Sequence, residues 1–568
     1  MTDNATRQQT VNPWLVIGFI AIPVFIGSLD LTVVSAFLPE LILELELPLQ
    51  TYLDDTSWVL SGYLLAYTIS LTFTGRLSDL IGRRAVYIGC LLVFIVGSIL
   101  VATAQGAPSD FLNRTLRRFG QRPDPAVIDL VAVIIGRVVQ ALGAGGLVPV
   151  SLALVSDMFP PEKRAQPLGL IGALDTLGWV LGHLYGGLFL QIPIPLEWAR
   201  AMGQNVSALP NNPEMALLPW QGLFWMNVPL TLIALAMVLY GLRNVEMKRS
   251  GGRFDYVGTA LLVGALTALN VGLGANIDVG GTASFERMNT LPNNWQFYVS
   301  GAVFAFVMFI FVEMRVKDPL ISPGLFRRRA FNAGAATNVF VGFCLMVGLV
   351  AVPILVNVQQ ESPDDIRQAA LEVGLLLSAL TVPMALATVP GGWLADRIGY
   401  RNTTLLGLSM AAVGFLFIWQ TWEIGISNTY IIIHEAIVGI GLGLTFAPIS
   451  ASVINAADDR DRGIASALVL VLRLVGMTVS VSALTTYSLG EVNRIADATL
   501  GPEAAADIFA YAATYAEIAV TVLAQLGLIG AVVALVALVP AAFLQGRTTP
   551  DEKAKRKQTD DVARVAGD

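Results

Sequence analysis

The sequence predicts an all-α membrane protein: two related six-helix bundles with two further spans inserted between them, fourteen transmembrane helices in all. Three observations carry this. The 568-residue chain is strongly apolar, with a mean hydropathy of +0.66 and only 14% charged residues, where a soluble domain carries about a quarter. Its apolar residues gather into stretches of the length a helix needs to cross a bilayer, about 20 residues. A ten-residue polar motif is also written twice. Gly75, Leu77, Asp79, Ile81, Gly82 and Arg84 match Gly392, Leu394, Asp396, Ile398, Gly399 and Arg401 in register. Each copy joins one apolar stretch to the next, as expected of an internal repeat.

The elements follow in order. Residues 1–13 are a polar tail. The first apolar stretch, 14–38, is too long for the core of a signal peptide and contains Asp30, so it reads as a membrane helix. Spans 57–75 and 85–105 flank the first motif. Residues 106–126 hold Arg114, Arg117, Arg118 and Arg122, and read equally as an amphipathic helix on the outer leaflet or as a solvated loop helix. Spans 127–150, 166–190 and 222–242 complete a first bundle, 14–243, with a Pro- and Asn-rich external segment at 191–221. An insert, 244–328, holds spans 256–275 and 296–313. It opens at Arg253-Phe254-Asp255 and closes at Pro319 to Phe326. A second bundle, 329–545, takes spans 331–357, 370–391, 402–422, 429–454, 463–487 and 517–543, and 546–568 is a second tail. The motif follows the second span and then the tenth, so the halves register only if spans seven and eight are inserted.

Basic residues orient the chain. Arg83/Arg84, Lys163/Arg164, Lys248/Arg249/Arg253, Arg327–Arg329, Arg460/Arg462 and the tail lysines fall on one side, which the positive-inside rule makes cytoplasmic, with both termini. Cys90 and Cys344 are far apart in apolar spans, which argues against a disulfide framework. Two histidines, His183 and His434, with two scattered cysteines argue against a zinc site. No phosphate-binding loop of the Walker type occurs, so direct ATP drive is not expected. No enzyme constellation, cofactor, metal or nucleic-acid partner is expected.

Four local patterns resemble the fourteen-span drug:proton antiporter branch of the major facilitator superfamily. Leu29 to Pro39 resembles its helix-1 signature. Gly75 to Arg84 resembles the superfamily's loop motif. Arg137-Val-Val-Gln140-Ala-Leu-Gly143-Ala-Gly145 resembles the helix-4 arginine motif. Gly178-Trp-Val-Leu-Gly182-His183-Leu-Tyr-Gly186-Gly187 resembles the helix-5 antiporter motif. The resemblance implies a secondary transporter. Two positions depart from it. His183 stands where that helix-5 motif has Pro, which leaves its proton antiport open, and Leu80 stands where a basic residue is usual.

The residues allow their own reading. In the motif copies, Asp79 and Asp396 sit in glycine-bounded turns (Gly75 and Gly82, Gly392 and Gly399). A carboxylate there can face the N-terminus of another helix, and Arg83 or Arg84, or Arg401 in the second copy, can pair with it. That would latch one bundle to the other; a plain solvated turn is the alternative. Asp30 is an intramembrane carboxylate and a functional candidate by default, against a structural hydrogen bond. Gly178, Gly182 and Gly186, at a spacing of four, line one helix face and suit close packing. The histidines are either satisfied polar residues or titrating groups. Aligning the halves places Arg137 on Glu435 and Asp175 on Arg473, charges of reversed sign near mid-depth. Such charges need partners. Arg137–Asp175 and Glu435–Arg473 pairs are expected, or else an exchange in which Asp30 or Asp175 reaches Arg473 across the bundle interface. The expected function is proton-driven export of amphipathic or cationic organic compounds by alternating access. The partners are the lipid bilayer, a small organic or lipid substrate, and protons. The alternatives are export of a lipid or lipid-like molecule, and a non-transporting receptor or scaffold.

Overall fold

A computed structural model describes residues 12–45, 49–121, 124–202, 215–243, 252–273, 294–358, 366–458, 461–499 and 508–544. Most of both tails, Arg122, Lys248, Arg249, Arg460 and the side chain of His183 lie outside the described residues.

Apolar runs become helices because a membrane leaves no other partner for the backbone. In the first half these are α1 (Pro13–Thr32), α2 (Val34–Glu44), α3 (Leu49–Ile81), α4 (Arg83–Ala102), α5 (Ala107–Arg118), α6 (Pro125–Met158), α7 (Ala165–Phe189), α8 (Leu196–Ala201) and α9 (Trp220–Gly241). The insert gives α10 (Tyr256–Gly272) and α11 (Trp295–Glu313). The second half gives α12 (Arg329–Val358), α13 (Ile366–Ile398), α14 (Tyr400–Thr421), α15 (Asn428–Ala456), α16 (Arg462–Thr499) and α17 (Ile508–Ala541). Polar caps set several starts. Asp124 accepts from the Ala126 N–H at 3.0 Å, with Pro125 opening α6, and Asp255 accepts from the Gly258 N–H at 2.9 Å to open α10.

A helix stands at each of the fourteen expected spans. Among the described residues, 11 are long and apolar enough to cross a membrane; α3, α7 and α10 are not among them, and α10 has only 17 residues. The first expected span is two helices, α1 and α2, broken at Val33. α16 runs to Thr499, well past the expected end at 487; its 38 residues make about 57 Å of helix, against a hydrocarbon core of about 30 Å. The segment after α7 also holds structure not expected from its composition. β1 (Pro193–Pro195) pairs antiparallel with β2 (Met215–Leu217), and Ile194, Ala199, Ala216 and Leu218 form a small core beneath them.

Each large core lies mostly in one half. One gathers residues of α12 to α17, from Phe331 and Leu380 through Phe415 and Val469 to Leu523. Others join α1, α2, α3, α4, α6, α7 and α9, one taking in Ala395, Tyr400, Ala451 and Ile454 and another Val471 from the second half. The insert touches both. Leu262 and Phe309 pack into the second-half core, while Leu266 packs with Tyr63 and Tyr67 of α3 and Val471 of α16. α3 lies along α16, and α7 along α13, so the two halves meet along two seams.

Candidate functional site: a buried carboxylate cage and two latches between the halves

α1 carries Asp30 three residues before its break at Val33, and α6 carries Arg137 three residues before Gln140 on the same face. The structure brings these together. Arg137 Nη1 stands 2.6 Å from Asp30 Oδ2, and Nη2 donates to the Asp30 backbone carbonyl at 3.2 Å. Gln140 Nε2 donates to Asp30 Oδ1 at 3.0 Å and Asn227 Nδ2 of α9 donates to the same oxygen at 2.6 Å. Gln140 also accepts from Arg137 at 2.7 Å and donates to Ser98 of α4 at 2.9 Å. The Tyr63 ring lies under the guanidinium, 4.0 Å from its carbon. Asp30, Arg137 and Gln140 are fully buried. Five helices thus close a caged ion pair, the arrangement a desolvated charge requires.

The expected pair Arg137–Asp175 is therefore corrected. The fork of Arg137 is occupied by Asp30. Asp175, on α7, instead accepts from Ser28 Oγ at 2.5 Å. Arg473 lies on α16, in the second half. Arg473 donates to Asn338 of α12 at 3.4 Å and lies over the Phe446 ring, 3.7 Å from its centre. The expected pair Glu435–Arg473 is not formed either. Glu435, on α15, is fully buried, with its carboxyl beside Gly348, and neither of its carboxyl oxygens has a hydrogen-bond partner. An unpartnered polar group in such a setting is costly.

The repeated motif forms two contacts at one face of the molecule. Both end on a glycine with positive φ, Gly82 at 103° and Gly399 at 91°, where the chain turns into the next helix. In the first copy both carboxylate oxygens of Asp79 accept from the Gly463 N–H at 3.0 Å, and one accepts from the Ile464 N–H at 3.3 Å. These are orphan donors at the N-terminus of α16, which prefers a negative charge. Arg83 pairs with Asp79 at 3.1 Å and bonds Asp157 through Nε. Asp157 in turn pairs with Arg462 at 3.5 Å, and Arg76 pairs with Asp461 at 3.6 Å. Gly75 makes this approach possible, because a Cβ there would stand 2.8 Å from that of Ala467.

The second copy is built differently. Asp396 faces the backbone N–H groups of Ala165 and Gln166, the first residues of α7. Tyr400 stands where the first copy has Arg83, and its hydroxyl donates to the Pro161 carbonyl at 3.1 Å. Arg164 reaches Asn455 at 2.6 Å, and Asn455 donates to Tyr400 at 3.0 Å. A Cβ on Gly392 would meet the Ala165 carbonyl at 2.5 Å. One latch is ionic and the other mostly neutral. Arg84 is half-buried at the start of α4, and Arg401 is exposed at the start of α14.

In the helix-5 motif, Gly178 and Gly182 lie against α1. A Cβ on Gly178 would stand 2.7 Å from the Phe25 carbonyl, and one on Gly182 would collide with Thr32 and the Leu29 carbonyl. Gly186 is buried, whereas a Cβ on Gly187 would meet nothing within 4 Å. His434 lies between the rings of Phe417 and Tyr430, near Thr421 Oγ1 at 3.4 Å. Ser28, Ser98, Asn227, Asn338, Asp157 and Asp461 were not singled out from the sequence. Their signal is a lone polar side chain in an apolar run, or an acid at a helix end.

This architecture is that of an integral membrane transporter of two packed helical halves, not an enzyme. The chain belongs to the Major Facilitator Superfamily, whose sequence profile it matches over residues 20–361 and 339–566. It is 30% identical to a protein of Mycolicibacterium smegmatis named as a triacylglyceride transporter, over 93% of this chain and 86% of that one. It is 31% identical to a triacylglyceride transporter of Mycobacterium tuberculosis, covering 84% and 82% of the two chains. Among solved structures it shares its fold with the human organic anion transporter MFSD10, with a TM-score of 0.54, 14% identity, and 92% and 100% coverage. A double tryptophan variant of the xylose transporter XylE gives 0.53, 12% identity, and 94% and 96% coverage.

Proposed function

We propose that this protein is a fourteen-span secondary transporter that exports a lipid or lipid-like molecule across the cell membrane by alternating access, with both termini cytoplasmic and protons as the driving ion. The observation that carries the substrate class is the near full-length similarity to proteins named as triacylglyceride transporters. Export of cationic drugs, the main expectation from the sequence, gives way to this reading.

The two latches close one face of the molecule between the halves, and release of Asp79 and Asp396 from the helix N-termini opens it. Asp30 takes the proton. Protonation removes its negative charge and leaves Arg137 without a counter-ion, which favours rearrangement of α1 against α6. Asp175 carries the same change to the second half. The test is reconstitution of the full chain in vesicles containing fluorescent triacylglyceride, with an imposed pH gradient. Gradient-dependent movement of the lipid is expected. Gradient-dependent movement of a cationic dye, with none of the lipid, would overturn the substrate class; lipid movement indifferent to the gradient would overturn proton drive.

A further inference from the structure

α5 is not accounted for by transport between the halves. We propose that it is an interfacial docking helix whose partner is the anionic phospholipid surface of the leaflet opposite the latches. Its place follows from the helix before it. α4 begins at Arg83 in the ionic latch and ends at Ala102, and α5 begins at Ala107 after one tight turn, closed by the Gly106 N–H on the Thr103 carbonyl at 2.9 Å. A 20-residue helix spans the hydrocarbon core once, so α5 starts at the far boundary of the bilayer.

α5 is held there. Ser109 donates to the Asp129 carboxylate of α6, and Leu112 packs on the cluster containing Val101, Leu130 and Val133. No side chain of α5 is buried. Helical spacing puts Phe111 and Phe119 within one apolar arc, and they are 66% and 80% exposed. Below them the outer surfaces of α4 and α6 are apolar and exposed at Val96, Val131 and Ile135, as lipid-facing surfaces are. Two bare phenylalanines at the edge of such a surface belong to the same solvent, lipid.

The charges fit that position. Three arginines, Arg114, Arg117 and Arg118, stand against one aspartate, Asp110, and all four are exposed. The Nε atoms of Arg114 and Arg117 make only local bonds, to the Asp110 carbonyl at 3.1 Å and to Asn113 Oδ1 at 2.8 Å. Those bonds fix the stems and leave the outer guanidinium nitrogens free for phosphate, whose geometry they match. Basic side chains on one arc and aromatics on the other are the composition of helices that lie in the headgroup plane. Docking would hold the outer ends of α4 and α6, the helices that carry Ser98, Arg137 and Gln140, while the halves rock.

Both native cysteines are buried, so a nitroxide reports only introduced sites. The full chain is placed in nanodiscs of phosphatidylcholine with or without phosphatidylglycerol, carrying Phe111→Cys, Phe119→Cys or Asn113→Cys. Labels at 111 and 119 are expected in the oxygen-rich, nickel-poor zone of the bilayer, and the label at 113 in the nickel-accessible phase. Equal nickel access at all three would overturn the proposal, as would strong dipolar coupling between copies, which would make a second chain the occupant. A triple Arg114→Gln, Arg117→Gln, Arg118→Gln variant tests the charge. Its retention of phosphatidylglycerol in native mass spectrometry is expected to fall at least twofold; unchanged retention would overturn the headgroup contact. Neither measurement depends on what is transported.

Discussion

Asp30 and Glu435 are both fully buried acids, yet their surroundings are opposite. Asp30 receives Arg137, Gln140 and Asn227, so it is built to hold a negative charge. Glu435 receives no hydrogen bond. The isosteric amides should separate them. Asp30→Asn leaves Arg137 as an uncompensated buried cation, and breaking such a pair costs about 3–5 kcal/mol. It should lower the unfolding temperature in detergent and abolish gradient-driven accumulation; normal accumulation would remove Asp30 from the coupling. Glu435→Gln breaks no ion pair and should leave the unfolding temperature within a degree or two of the parent. A large fall at Glu435 would mean that its carboxylate is paired after all. Arg137→Lys keeps the charge but loses the fork that reaches two oxygens of Asp30 and the stack over Tyr63, so it should behave as a weakened version of Asp30→Asn rather than as a conservative change.

Between α1 and α7 the spacing is set by two glycines of the helix-5 motif. Gly182→Ala would drive a methyl into Thr32 and the Leu29 carbonyl, both of them part of α1. Overpacking of this kind costs about 1–3 kcal/mol, and the displaced helix is the one that carries Asp30. Gly187→Ala is the matched control five residues on. Its methyl would meet nothing within 4 Å, and Ala is favoured over Gly in a helix by about 0.5–1 kcal/mol. Thermal unfolding should therefore fall for the first and hold or rise for the second. The reverse order would mean that α1 and α7 do not pack through this face. Close helix approach through small residues is also how the repeat motif works at Gly75 and Gly392, so the spacing of four and the paired motif use the same device on different helices.

At the scale of the molecule the two latches are unequal. The first joins the halves by Asp79 at the start of α16, by Asp157–Arg462 and by Arg76–Asp461. The second relies on Asp396 at the start of α7 and on neutral bonds of Tyr400 and Asn455. A carboxylate at a partly buried helix N-terminus is worth up to about 2 kcal/mol, and a neutral hydrogen bond about 0.5–1.5 kcal/mol. Asp79→Asn should therefore shift the population toward separation of the latch face more than Tyr400→Phe does. Distances between spin labels on the latch-side ends of α3 and α16 would read this directly. Equal shifts would mean that the ionic network adds nothing. Asp157→Ala and Arg462→Ala should also be non-additive, since the two residues share one contact.

The repeated motif, the lengths of the apolar runs and the basic bias were readable from the chain because each is local. A helix must satisfy its own backbone in a membrane, and a turn motif carries its own glycines. That sufficed for an all-helical bundle protein of this superfamily, and it singled out Asp79 and Asp396 in the motif turns and Asp30, Arg137, Asp175, Glu435 and Arg473 as ionisable groups within the helices. Partners were not readable, because they depend on rotation and depth across separate helices. Asp30 of α1, not Asp175 of α7, meets Arg137, so the expectation drawn from aligning the halves chose the wrong acid. Glu435 lies beside Gly348 rather than bonded to Arg473. The stabilising polar groups Ser98, Asn227 and Asn338 are single residues in apolar runs, and only packing tells such a residue from a tolerated one. The same holds for the substitution of Tyr400 for an arginine. In the sequence it is a departure from the repeat, and only the folded chain makes it a neutral latch, because Pro161 and Asn455 come from other helices to meet it.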